Sequence, residues 1–80
     1  MGITPAQCRM ARAALQLGVR DLAALARVSP NTISRLERGE NLYDSTLEVI
    51  GHALEAVGIE FIADNGGGAG VRFKELRSAD

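Results

Sequence analysis

Residues 27–40 read RVSPNTISRLERGE, Arg27 to Glu40. Ser29 followed by Pro30 marks a helix start. A serine side chain caps the first free N–H groups, and proline loses nothing at the first helical position. Gly39 marks a stop. Between these signals Ile33 and Leu36 stand three apart and point to one side. Asn31, Thr32, Ser34, Arg35 and Arg38 are left on the other side. The stretch therefore predicts a short amphipathic helix over residues 30–38, with amide, hydroxyl and guanidinium groups on its outer face.

The flanks read in the same way. Thr4-Pro5-Ala6-Gln7 is a second helix start, with Thr4 as cap, Pro5 at the first position and Gln7 completing a capping box. That helix is expected to run to about Leu17, with Cys8, Ala11 and Leu15 at helical spacing and Met10, Ala14 and Leu17 beside them. Gly18 is expected to end it. Val19 to Ala26 is a further short helix with Leu22, Ala23 and Ala26 on one side. After the opening stretch, residues 40–44 read as a loop. Ser45-Thr46-Leu47-Glu48 forms a capping box for a fourth helix to about Val57, with Leu47, Ile50, Leu54 and Val57 inward. Gly58 stops it.

Beyond Gly58 the period changes from helical to alternating. Ile59-Glu60-Phe61-Ile62-Ala63 and Val71-Arg72-Phe73-Lys74 read as strands around the flexible turn Asn65-Gly66-Gly67-Gly68-Ala69-Gly70. Ile59, Phe61, Val71 and Phe73 fall on one face, and Glu60 falls near Arg72 or Lys74. The expected fold is mainly α: four helices, then a short C-terminal β-hairpin or strands paired across a dimer. Residues 1–57 form the helical unit, 58–76 a strand tail serving dimerisation, and 77–80 a disordered end.

Composition narrows the function. Eighty residues make one domain without room for a second core. No run approaches the roughly 18 apolar residues of a membrane span, so no membrane partner is expected. The N-terminus lacks a basic region followed by an apolar block, so no signal peptide is expected. Cys8 is the single cysteine. This excludes an intrachain disulfide framework and a four-ligand zinc site, and it points to a reducing cytoplasm. Aromatic residues are too few for a stacking platform on single strands. The net charge is −1, but it is unevenly spread. Residues 1–39 hold six arginines against two acids, a net of +4, whereas residues 40–80 hold three cations against eight acids, a net of −5. Overall acidity therefore does not dismiss a polyanionic partner, because the local field decides contact within about 10 Å.

Two short helices joined by about three residues form a helix-turn-helix. Ala23 is small where the helices must approach, and Ile33 and Leu36 anchor the second helix on the first. Here the chain resembles the Cro/phage-repressor (xenobiotic-response-element-type) helix-turn-helix family. The matching residues are Leu22-Ala23, Val28-Ser29, Thr32-Ile33-Ser34-Arg35-Leu36-Glu37-Arg38-Gly39, and Leu47, Ile50, Ala53 and Leu54, covering about residues 4–57. The resemblance implies that the third helix enters the major groove of double-stranded DNA. It implies base contacts from Asn31, Thr32 and Arg35, with Ser34 as a lesser reader and Pro30 able only to touch a methyl group. It implies phosphate contacts from Arg20, Arg27, Ser29, Arg38 and Asn41. The chain departs from the family at two positions. Val19 stands where many members carry Gln, and Arg27 stands where many carry Gly, in a turn whose left-handed backbone costs a side-chain-bearing residue roughly 1 kcal/mol.

Plainer readings stand beside these. Arg35 and Arg38 could merely pair with Glu37 or Glu40 on the surface, and Glu37 reads better as a structural partner of a nearby arginine than as a DNA contact. Cys8 reads as a buried packing residue, and His52 as a surface or packing residue. NGGGAG lacks the Lys-Ser/Thr and the following helix of a phosphate-binding loop. No nucleophile–base arrangement is recognisable, so no enzyme, metal or cofactor is expected. The strand tail suggests a homodimer, with Val57, Ile59, Phe61, Ile62, Val71 and Phe73 at the interface. The expected function is a cytoplasmic transcriptional regulator, a repressor or activator, bound to a palindromic operator as a homodimer. The alternative is a protein-interaction module of the same fold, as in an antitoxin or anti-activator.

Overall fold

In a computed structural model, residues 2–74 are described. They form α1 (Pro5–Leu15), α2 (Val19–Ala26), α3 (Pro30–Glu37), α4 (Asp44–Ala56), β1 (Ile59–Ile62) and β2 (Gly70–Phe73). The expected disordered end at 77–80 and the last residues of the tail lie outside the described residues.

The local signals act as chemistry requires at two of the four helix starts. The Thr4 hydroxyl accepts from the Gln7 N–H at 3.0 Å, and the Gln7 side chain accepts from the Thr4 N–H at 3.0 Å, a complete capping box. Ser29 Oγ accepts from the Thr32 N–H at 3.1 Å, with Pro30 beside it. At α2 the cap is one-sided. Asp21 accepts from the Gly18 N–H at 2.8 Å, and glycine has no side chain to return the bond.

Four expected helix boundaries are corrected. The first helix ends at Leu15 rather than Leu17. Gln16 turns into the left-handed region at φ 58°, Leu17 N–H bonds back to Arg12 O at 2.9 Å, and Gly18 becomes the extended cap of α2. The Arg12 guanidinium helps by donating to Leu17 O. The third helix ends at Glu37 rather than Arg38, which is its C-cap. The fourth helix starts at Asp44, so the box expected over Ser45–Glu48 is not formed. Tyr43 is its cap residue without a side-chain bond, and Asp44 places a negative charge in the first turn, where the helix dipole favours it. Because α4 ends at Ala56, Val57 leaves the inward stripe and is 42% exposed.

One core joins five of the six elements, and Val71 of β2 packs against it. Cys8 and Ala11 from α1, Leu22, Ala23 and Ala26 from α2, Ile33 and Leu36 from α3, Ile50 and Leu54 from α4, and Ile59 from β1 are buried together. Small residues at Ala23 and Ala26 let α2 approach α3. Leu22, Ile33, Ile50, Leu54 and Ile59 are fully buried, each contributing on the order of 1.5–3 kcal/mol of apolar burial.

The two strands pair antiparallel within the same chain, in the register Ile59 to Phe73, Glu60 to Arg72, Phe61 to Val71 and Ile62 to Gly70. Glu60 meets Arg72 at 3.1 Å, as the alternation anticipated. The hairpin is fastened to the helices. Gln7 Nε2, on a side chain only 5% exposed, donates to Ile62 O at 3.1 Å and to Gly70 O at 3.0 Å, so one amide holds both strands. Ile59, expected at a subunit interface, is instead fully enclosed in its own chain's core. Phe61, Ile62 and Val71 are half-buried, and Phe73 remains 52% exposed.

Candidate nucleic-acid interface

The turn between α2 and α3 sets the site. Ala26 closes α2, Arg27 turns left-handed at φ 60°, and Val28 N–H bonds back to Ala23 O at 3.0 Å. An arginine thus occupies a backbone region that glycine enters without cost, as its place in the sequence had suggested. This turn lays α3 across α2 with Ile33 and Leu36 inward, Glu37 turned toward α1 and the remaining residues of the helix outward.

The outward residues differ in access. Asn31, Pro30, Ser29 and Arg38 are exposed, while Thr32, Ser34 and Arg35 are half-buried. The Thr32 hydroxyl shares a 2.9 Å bond with the Ser29 hydroxyl, which fixes both at the helix start. Arg20 and Arg27 are exposed at the two ends of α2, and neither forms a salt bridge among the described residues.

The chain then folds back beside α3. Gly39 adopts φ +88°, a conformation that suits glycine, and Glu40 N–H bonds to Arg35 O at 3.1 Å. The following segment closes an open groove of about 400 Å³ lined by Thr32, Arg35, Asn41, Leu42, Tyr43 and Thr46. Three residues expected at the site from sequence, Thr32, Arg35 and Asn41, therefore meet in one place. Tyr43 and Thr46 were not anticipated. Tyr43 is 83% exposed and comes beside α3 only through the back-fold at Gly39, which left no signal in the sequence.

The charges are partly spoken for. The Glu40 carboxylate pairs with Arg35 at 2.9 Å and with Arg38 at 2.8 Å, so the plainer reading of surface pairing holds for Glu40. Arg38 first, and then Arg35, hold the Glu40 carboxyl below its ordinary range. Glu37 points away from this face. It accepts two bonds at 2.8 Å from Arg12 of α1, a fork that clips α3 to α1, and it also accepts from the Cys8 thiol at 3.2 Å. Burial, and then the bond to Glu37, push the Cys8 thiol up to about 12. It stays protonated, as expected of a packing residue rather than a reactive one.

Residues 6–60 match the family model described as "Helix-turn-helix domain". The chain belongs to this helix-turn-helix family. Nothing matches among the curated proteins compared. In this member the two helices of the pair are α2 and α3, joined by the turn at Arg27 to Ser29. No helix among the described residues is long and apolar enough to cross a membrane.

Proposed function

We propose that this helix-turn-helix protein is a sequence-specific double-stranded DNA-binding transcriptional regulator that reads its site with the outer face of α3. One observation carries the reading. With Ile33 and Leu36 locked in the core, the residues left outward on α3 are, beyond Pro30, hydrogen-bonding and cationic. Such a face suits base edges and phosphates. An α-helix with its side chains is about 10–12 Å across, which fits the roughly 12 Å width of a major groove.

The roles follow from chemistry. Arg35 pairs with guanine and Asn31 with adenine, each through two hydrogen bonds, and Thr32 meets a thymine methyl or offers its hydroxyl. Ser34 and Pro30 are minor contacts. Arg20, Arg27, Ser29, Arg38 and Asn41 hold phosphates, which supply affinity rather than sequence choice. A single module of this size reads few bases, so the protein acts as a homodimer on a palindromic operator. The exposed apolar side chains of Val49, Val57 and Phe73 support a second copy docking there. Val71, Phe61 and Ile62 would contribute at its edge. Occupancy of a promoter then represses, or activates where the dimer sits beside polymerase.

Selection from a pool of random duplexes, wild type beside Arg35→Ala, tests this. The wild type is expected to enrich two half-sites about one helical turn apart. Arg35→Ala is expected to lose preference at one base position in each half-site, at a cost of about 1–3 kcal/mol. Enrichment of one isolated half-site would overturn the homodimer. No binding at about 50 mM salt, where phosphate contacts alone suffice, would overturn the DNA reading and favour the protein-interaction alternative.

A further inference from the structure

Glu40 touches the two arginines of the α3 face in different ways. Arg35 gives it only Nε, at 2.9 Å, to Oε1. Arg38 gives it Nε at 3.1 Å and Nη2 at 2.8 Å, both to Oε2. A guanidinium has five donor hydrogens, one on Nε and four on the two terminal nitrogens. Glu40 therefore leaves the whole terminal fork of Arg35 available, while it occupies the side edge of Arg38. The carboxylate is also anchored from behind. Gly39 turns the backbone so that Glu40 N–H bonds to Arg35 O at 3.1 Å, tying Glu40 to Arg35 through both main chain and side chain.

A carboxylate on a DNA-facing surface has an electrostatic cost, because it repels phosphates and neutralises cations that would otherwise meet them. It is useful only if it does something a neutral residue would not. Long arginine side chains lose rotamer freedom when they bind, and a side chain held in advance loses less. From this geometry we infer that Glu40 is a positioning residue, fixing Arg35 so that its terminal fork meets the O6 and N7 of a guanine end-on. Affinity for DNA in general is given up for discrimination at one base pair. The inference rests on the DNA reading proposed above.

The test compares binding to two duplexes that differ only at the base pair whose preference Arg35→Ala removes, one with guanine and one with adenine there. A mixed-sequence duplex measures general affinity. The wild type is expected to prefer guanine by about 5- to 150-fold. Glu40→Ala is expected to lose at least about fivefold of that preference while binding the mixed-sequence duplex as tightly as wild type or tighter. Glu40→Gln, which keeps a neutral acceptor, is expected to restore part of the preference. In an Arg35→Ala background, Glu40→Ala is expected to change general affinity but not base choice. Glu40 is 44% exposed, so its removal leaves the core intact, and an unchanged melting temperature checks this. Full guanine preference in Glu40→Ala overturns the positioning role and leaves an ordinary surface ion pair. A wild type that binds neither duplex overturns the DNA reading and this inference together, and the wild-type arm tells the two failures apart.

Discussion

Glu37 and Glu40 lie three residues apart and do opposite work. Glu37 faces inward to Arg12 and Cys8 and holds α3 against α1. Glu40 faces outward to the two arginines of the α3 surface. The Glu37 pair is the one that matters for stability, because its carboxylate is only 10% exposed and its bonds form a fork. Glu37→Gln is expected to cost about 1.5–3 kcal/mol, read by chemical denaturation. The Arg12 bond, followed by the Cys8 bond, holds the Glu37 carboxyl below its ordinary value of 4.5. A carboxyl lowered by folding adds stability that is complete above its unfolded pKa. That stability is lost as pH falls through the folded value. The wild type should therefore lose stability relative to Glu37→Gln on acidification below about pH 5. Parallel stability–pH curves for the two proteins would contradict this account. The direction of Glu37 was legible in the sequence, since residues 37 and 35 cannot share a helix face. Its partnership with Cys8 was not, because a contact across 29 residues leaves no local trace.

Helix starts were the most legible elements, because their chemistry is local. Thr4 with Gln7 and Ser29 with Pro30 announce two of them through side chains that reach only three residues. Ends were harder to read. α1 stops at Gln16, a side-chain-bearing residue in the left-handed region, because Arg12 and the following cap at Gly18 favour the turn there. α4 starts without a side-chain cap, at Tyr43, so the Ser45 signal misled by two residues. Gln7 shows the limit most clearly. Its capping role was readable, but its clamp on Ile62 and Gly70 spans 55 and 63 residues and had no signature. Gln7→Ala removes both donors and strands two carbonyls, at an expected cost of about 1–3 kcal/mol. Hydrogen exchange should quicken at the hairpin amides more than in α2 and α3. Unchanged hairpin protection would mean that apolar packing alone holds the strands.

At the scale of the whole molecule, charge is divided along the chain. The first half, through α3, carries a net +4 and includes the proposed reading face, while the second half carries a net −5. The site of about 400 Å³ beside α3 joins residues on both sides of the division, with Thr32 and Arg35 before it and Asn41, Tyr43 and Thr46 after it. The helical half of this site was readable from the period of Ile33 and Leu36. Tyr43 was not, because only the back-fold at Gly39 brings it beside α3. The central claim is that DNA meets this face and no other. The most direct measurement is an NMR titration of isotope-labelled protein with a short duplex, following every backbone amide and arginine Nε. The predicted result is that the largest shifts fall on Asn31, Thr32, Arg35 and the segment from Arg38 to Tyr43, while Glu48, Glu55 and the loop around Asn65 stay in place. Shifts centred on the acidic surface of α4, or none at about 50 mM salt, would contradict it.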